Sequence, residues 1–273
     1  MMNKRILVIT YLVLLAPVYF ASAAEKSSGN QKQNISITIL YDNYIFTKGF
    51  RSDWGFSCLL AGTEKTILFD TGTKGELLLE NIEKLNINPK DIEIIVISHN
   101  HGDHTGGLLA FLAKNSNVLV YLPPSCSAGF IQEVKGTGVK VLVSDAPVEI
   151  CKGIYLTGPM GEQIIEQSMI LNTSVGTVVV TGCAHPGIID IVRESKAIVP
   201  KDIYLVLGGF HLRQKSETEL EQIINDFGKL GVKKVGPTHC TGDRAIRMFK
   251  EAYGLDFEQM GVGRIFKIET ISK

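Results

Sequence analysis

The chain carries six histidines in 273 residues, and each of them follows an apolar run in a short polar or glycine-containing stretch. Three cluster as His99-Asn-His101-Gly-Asp103-His104; the others are His185, His211 and His239. Several unprotonated donors converging on one point is what a metal ion requires, and imidazole is the commonest neutral donor near pH 7. Alternate residues of an extended loop point the same way, so His99 and His101 can chelate one ion together. Asp103 and His104 come after a turn at Gly102 and can face a second ion beside it. Two ions roughly 3.5–4 Å apart can share a bridging hydroxide, a nucleophile for hydrolysis. A single histidine in such a loop reads as well as a satisfied core residue; three histidines and an aspartate at this spacing read as a metal site. No G-x-S-x-G elbow offers a serine nucleophile as an alternative.

These residues need strands to deliver them. Residues 92–97 are a near-continuous apolar run, the pattern of a strand covered on both faces, and His99 follows one residue after it. Residues 35–45 open with alternating Ile35, Ile37 and Ile39, and residues 56–61 and 65–69 flank a turn at Gly62-Thr63-Glu64. Leu77, Leu78, Ile82 and Leu85 fall at helical spacing, and Asn88-Pro89 stops that helix. Strands are also expected at 118–121 and 139–143, with a short helix opening at Gly106-Gly107-Leu108. In the second half, Val178-Val179-Val180 leads to Cys183 and His185, residues 203–207 lead to His211, and residues 233–236 lead to His239. Leu220, Ile223, Ile224, Phe227 and Leu230 mark an amphipathic helix between the last two strands. The pattern alone gives an α/β domain.

Lys4 and Arg5 precede an apolar run over 6–20, and Ala21-Ser22-Ala23 ends it, which is the layout of a secretory signal peptide. Residues 1–23 are therefore expected to be removed and the protein exported, to the periplasm or beyond, without a lasting membrane anchor. Residues 24–34 read as a polar linker and 35–273 as the domain, about 250 residues in all after cleavage, enough for a full core. Lys plus Arg and Asp plus Glu both total 28, so no basic surplus points to nucleic acid, and the partner expected is a small-molecule substrate. Five cysteines show no disulfide framework. Cys58 reads as core and Cys126 and Cys151 lack context, whereas Cys183 and Cys240 each lie within two residues of a histidine.

The signature His99-Asn-His101-Gly-Asp103-His104-Thr-Gly-Gly resembles that of the metallo-β-lactamase superfamily, and Phe69-Asp70-Thr71-Gly72 is similar to that fold's first motif. The resemblance spans roughly residues 35–270 and implies a four-layer αββα sandwich. Carried over by position, it implies that His99, His101 and His185 serve one ion and that Asp103, His104 and His239 serve its neighbour, with Asp70 supporting the metal loop. Where the family has a bridging aspartate, this chain has Cys183, a thiolate ligand or a small buried residue. The family's third-motif histidine falls near Glu166 or Gln167, and His185 stands in from the neighbouring turn. Zinc suits this imidazole-rich set, most simply as two ions, with iron or manganese as alternatives; the retained His101 separates the chain from the family's di-iron oxidoreductases, which carry glutamate there. Thr181-Gly-Cys-Ala-His-Pro-Gly187, Gly208-Gly-Phe-His211-Leu and Pro237-Thr-His239-Cys-Thr-Gly242 resemble a branch that includes an archaeal pterin-pathway enzyme joining a dihydropterin to a ribofuranosyl-aminobenzene phosphate. The resemblance gives His211 a role as a substrate contact, an acid or a ligand, and Asp103 a second role in orienting hydroxide. It implies a hydrolase acting on an ester, phosphodiester or lactone, with the branch's transferase chemistry or a metal-binding module without turnover as the alternatives. Substrate-facing loops are expected at 43–55, with Tyr44, Phe46, Phe50 and Trp54, and at 158–167.

Overall fold

A computed structural model describes residues 33–270 of the protein. The expected leader and most of the linker lie outside the described residues. In chain order the strands are β1 (Gln33–Tyr41), β2 (Ser57–Ala61), β3 (Ile67–Phe69), β4 (Ile94–Val96), β5 (Leu119–Leu122), β6 (Lys140–Val143), β7 (Val148–Cys151), β8 (Ile154–Leu156), β9 (Met169–Thr173), β10 (Gly176–Thr181), β11 (Ile203–Gly209), β12 (Lys234–Thr238) and β13 (Ile265–Thr270). The helices are α1 (Gly75–Lys84), α2 (Gly102–Thr105), α3 (Leu108–Leu112), α4 (Ala128–Gly136), α5 (Ile188–Ile198), α6 (Glu217–Lys229) and α7 (Asp243–Tyr253). One sheet has seven strands in the order β13-β1-β2-β3-β4-β5-β6, and the other has six in the order β12-β11-β10-β9-β8-β7.

Strand alternation explains the layers. On β4, Ile94 and Val96 pack inward between the sheets, whereas Ile95 and, just past the strand, Ile97 pack outward with Leu77, Leu78 and Phe111 of α1 and α3. On β10, Val178 and Val180 face the inter-sheet core and Val179 faces Ile191, Phe227 and Phe249 of α5, α6 and α7. Three apolar cores thus separate four layers, αββα, as the family resemblance implied. Each fully buried Val, Leu, Ile or Phe contributes roughly 1.5–3 kcal/mol. The amphipathic helix expected near residue 220 is α6. A reciprocal capping box between Ser216 and Glu219 starts it, and Phe227 packs edge-on to Phe249 at 5.3 Å.

Several boundaries differ from the sequence reading. β1 starts at Gln33, two residues before the expected domain start, and stops at Tyr41, because Asp42 turns away into hydrogen bonds with Thr238 and the Tyr44 amide. The β7–β8–β9 meander, which completes the second sheet, has no expected counterpart: β7 is short and half exposed and carries no clear alternation. Parallel strands set the polarity that matters. β3, β4, β5 and β6 run parallel in the first sheet, and β10, β11 and β12 run parallel in the second. Chain leaving the C-terminal ends of parallel strands is where α/β proteins place their binding residues.

Candidate metal centre

Five strand-end connections converge at one edge of the sandwich. Asp70 follows β3, His99 and His101 follow β4, Asp103 and His104 start α2, and Cys183 and His185 follow β10. His211 follows β11, and His239 and Cys240 follow β12. The backbone there is strained: Asp70, Ala184, His211 and His239 have φ of 56°, 61°, 53° and 52°. Left-handed non-glycine residues cost energy and persist where surrounding structure enforces them, often at functional sites. Glycine is required at 182 and 209 for a different reason. A Cβ on Gly182 would collide with the Ser98 hydroxyl, and one on Gly209 would lie 2.7 Å from the Cys240 sulfur.

The ligand-bearing atoms form two groups. His99, His101 and His185 make one, and Asp103, His104, Cys183 and His239 make the other, with all ligand atoms within 4.8 Å of one another in each. Hydrogen bonds fix the imidazole tautomers. The His104 Nδ1–H donates to Asp70 Oδ2 at 2.7 Å, leaving the Nε2 lone pair toward the Cys183 sulfur at 3.2 Å. The Ser98 hydroxyl donates to the same Asp70 oxygen at 2.7 Å and accepts from His99 Nδ1–H at 2.9 Å, so His99 presents Nε2 to His101 Nδ1 at 3.1 Å. The His239 Nδ1–H donates to Asn43 Oδ1 at 3.0 Å, and its Nε2 lies 3.3 Å from Asp103 Oδ2. That last contact sets one acceptor against another, and Nε2 of both His185 and His239 is buried without a hydrogen-bond partner. Opposed lone pairs are costly unless a cation lies between them. The donor set therefore fits metal ions, and carboxylate–histidine partners of the Asp70–His104 kind orient metal ligands in proteins.

The electrostatics agree. Burial, reinforced by the neighbouring imidazoles His104, His185 and His101, holds His99 far below the usual histidine range, so it is a neutral donor. Burial and the nearby His211 take His185 down to about 4. Burial alone would raise Asp103, but positive charge at the facing His239 and His104 nitrogens, whether a proton or a metal cation, outweighs it and keeps the carboxyl well below the usual carboxylate range. Burial would lower His104, yet the Asp70 carboxylate overrides it and raises the imidazole to about 9. A proton and a metal cation compete for that lone pair.

Glu166 joins neither group. It is buried, and its carboxylate accepts backbone N–H groups of Gly182, Cys183, Ala184 and His185 at 2.9–3.1 Å, fixing the loop that presents Cys183 and His185. Burial raises its pKa, which those hydrogen bonds counteract. Gln167 bonds to the Ile97 carbonyl instead of facing the site. Cys183, at the position of the expected bridge, lies within the second group. Of the aromatic residues in the 43–55 loop, Trp54 alone meets the donors, with its ring 5.0 Å from that of His239 and Arg213 5.9 Å above it. Tyr44 bonds to Asp243, Phe46 packs under Arg264 and Phe50 lies beside Gly263. Trp54, His211, Arg213, Lys215 and Cys240 line a cavity of about 390 Å³, and Gly161, Ile164, His185 and His211 line another of about 710 Å³. Sequence reasoning left out Asn43, which also donates to the His239 carbonyl at 2.9 Å, and left Cys240 unassigned although it neighbours His239. Nothing in the residue pattern marks Asn43, because its partner lies 196 positions away.

The family model described as the metallo-beta-lactamase superfamily matches residues 55–188. A Methanocaldococcus jannaschii protein named 7,8-dihydropterin-6-methyl-4-(beta-D-ribofuranosyl)-aminobenzene-5'-phosphate synthase is 32% identical, over 86% of this chain and 97% of its own length. A crystal structure described as a metal-dependent hydrolase of the beta-lactamase superfamily superposes with a TM-score of 0.73 at 31% identity, over 86% of this chain and 99% of the other. The metallo-beta-lactamase fold protein YhfI of Bacillus subtilis shares the fold, with a TM-score of 0.65 and 14% identity over 86% of this chain and 100% of the other.

Proposed function

Because the chain belongs to the metallo-β-lactamase superfamily, we propose that it is a metal-dependent hydrolase cleaving an ester-, phosphodiester- or lactone-type bond at the edge where the two donor groups meet. The observation that carries this reading is the opposed pair His239 Nε2 and Asp103 Oδ2, beside the imidazole trio His99, His101 and His185. In this reading that trio would hold one zinc ion, and Asp103, His104 and His239, with Cys183 beside them, would hold a second. When bound, such ions supply Lewis acidity and activate water near neutral pH.

The chain's own groups do the rest. Asp103, held unprotonated, can accept a hydrogen bond from the attacking water and orient it. Asp70 and Ser98 keep protons on the outward nitrogens of His104 and His99, so both rings face inward as acceptors. Arg213, lining the smaller cavity where Lys215 is paired with Glu219, favours a substrate with an anionic group, and Trp54 offers a flat apolar wall beside His239.

A transferase is the second reading. Its support is the synthase from Methanocaldococcus jannaschii, matched over 97% of its length. Elemental analysis of the purified chain, followed by turnover assays on phosphodiesters, lactones, thioesters and organic mono- and diphosphate esters with and without an acceptor amine, separates the readings. Metal-dependent turnover by water alone supports hydrolysis. Release of phosphate or pyrophosphate only with acceptor supports transfer, and no turnover on any substrate opposes both. Export belongs to the same proposal: an N-terminus at Ala24 in the purified protein supports it, and one at Met1 opposes it.

A further inference from the structure

We propose that Cys183, Cys240 and His211 form a thiolate metal site adjoining the imidazole–carboxylate groups and taking a thiophilic divalent ion of the zinc class. The proposal does not depend on which substrate the enzyme turns over. The Sγ atoms of the two cysteines and a ring nitrogen of His211 all lie within 4.8 Å of one another. They come from the ends of three adjacent parallel strands, β10, β11 and β12, so the sheet itself holds them in register. Ligand atoms a few ångströms apart are what a tetrahedral ion with bonds of about 2.3 Å to sulfur and about 2.0 Å to nitrogen demands.

The surroundings are built around the sulfur pair. Gly209 leaves room that a Cβ would take from the Cys240 sulfur, and Gly182 keeps the Cys183 loop tight against Ser98. Both cysteines are buried, at 3% and 5% exposure, and neither is in a disulfide. His211 is exposed and lines both cavities, which gives an ion a path from solvent. Its left-handed φ of 53° turns the residue at a cost that a ligand's role would explain. Cys183 belongs to this group and to the Asp103, His104 and His239 group, so one sulfur connects the two sites. Binding releases the two thiol protons to solvent and leaves two thiolates and one neutral imidazole on the ion. His211 thereby acts as a ligand and not as the acid that the family resemblance also allowed.

The test uses the full chain, reduced, stripped with chelator and titrated with cobalt(II) without oxygen. The wild type should show a near-ultraviolet sulfur-to-cobalt charge-transfer band. Cys240→Ser should remove one bound ion and leave only the part of the band that Cys183 contributes through the Asp103, His104 and His239 group. His211→Gln should keep the band but weaken cobalt binding at this site by about 10-fold or more. His101→Ala should leave the band intact, so failure of the imidazole site is read separately. A full band and unchanged stoichiometry in Cys240→Ser would overturn the proposal. Should that variant not fold, X-ray absorption at the zinc edge of the loaded wild type decides: it should show sulfur neighbours at about 2.3 Å beside nitrogen. A zinc shell of nitrogen and oxygen alone, or a Cys183–Cys240 disulfide in the loaded protein, would refute it.

Discussion

Replacing Asp70 by asparagine perturbs both donor groups through one buried side chain. Asp70 is fully buried, and its carboxylate accepts three hydrogen bonds of 2.7 Å, from the Ser98 amide, the Ser98 hydroxyl and His104 Nδ1–H. An asparagine has one oxygen. If that oxygen keeps the Ser98 amide, its NH2 group faces the Ser98 hydroxyl and His104. His104 is then driven to the tautomer with hydrogen on Nε2, the nitrogen that faces Cys183 and Asp103. Ser98 can reorient, but its hydrogen bond with His99 Nδ1 is disturbed, so the effect reaches the His99 group as well. Loss of such an orienting partner typically weakens metal affinity about 10- to 100-fold, or roughly 1.4–2.8 kcal/mol per ion. Each buried donor left unpaired costs a further ~1–3 kcal/mol of folding stability. Competition with a zinc chelator measures the first quantity, and urea unfolding of stripped and zinc-loaded protein measures the second. An affinity within about threefold of wild type, with unchanged unfolding, would refute the orienting role of Asp70.

Three other outcomes follow from the same geometry. His101 is only partly buried, so His101→Ala should abolish zinc binding by the His99, His101 and His185 group while the stripped protein unfolds at the wild-type urea midpoint; unchanged metal content would contradict it. Asn43→Ala removes the acceptor that sets the His239 tautomer and should lower affinity in the Asp103 group by about 10-fold or more, read by the same chelator competition, with wild-type affinity as the contrary result. Burial raises Asp42 to about 6 against hydrogen bonds from Thr238 and Tyr44, so its contribution to stability is full below about pH 4 and is lost as pH rises through 6. Asp42→Asn should flatten that part of the stability-versus-pH curve, by roughly 2–3 kcal/mol between pH 4 and 7, and an unchanged curve would show that Asp42 titrates normally.

The parts of this site that were legible in the sequence are those with local signals. The run before His99 buries both faces of β4, so its pattern is unbroken, and the histidine cluster follows within a few residues. Val178, Val179 and Val180 announce β10 for the same reason. What the sequence left dark is non-local or small in signal. Glu166 reads in isolation as a polar residue before a strand, and its role depends on four amides that arrive from residues 182–185. Asn43 is informative only once β1 and β12 bring it to His239. The β7–β9 meander carries little periodicity because β7 lies half exposed at the sheet edge. Cys240 was visible beside His239, but its pairing with Cys183 arises only when β10 and β12 flank β11.

The central claim is that the two imidazole-bearing groups exist to hold cations. Anomalous diffraction from crystals of the zinc-loaded full chain, collected at the zinc edge, tests it most directly. The account predicts one peak bonded to His99, His101 and His185 and another bonded to Asp103, His104 and His239. Zinc-loaded crystals with no peak at either position would contradict it.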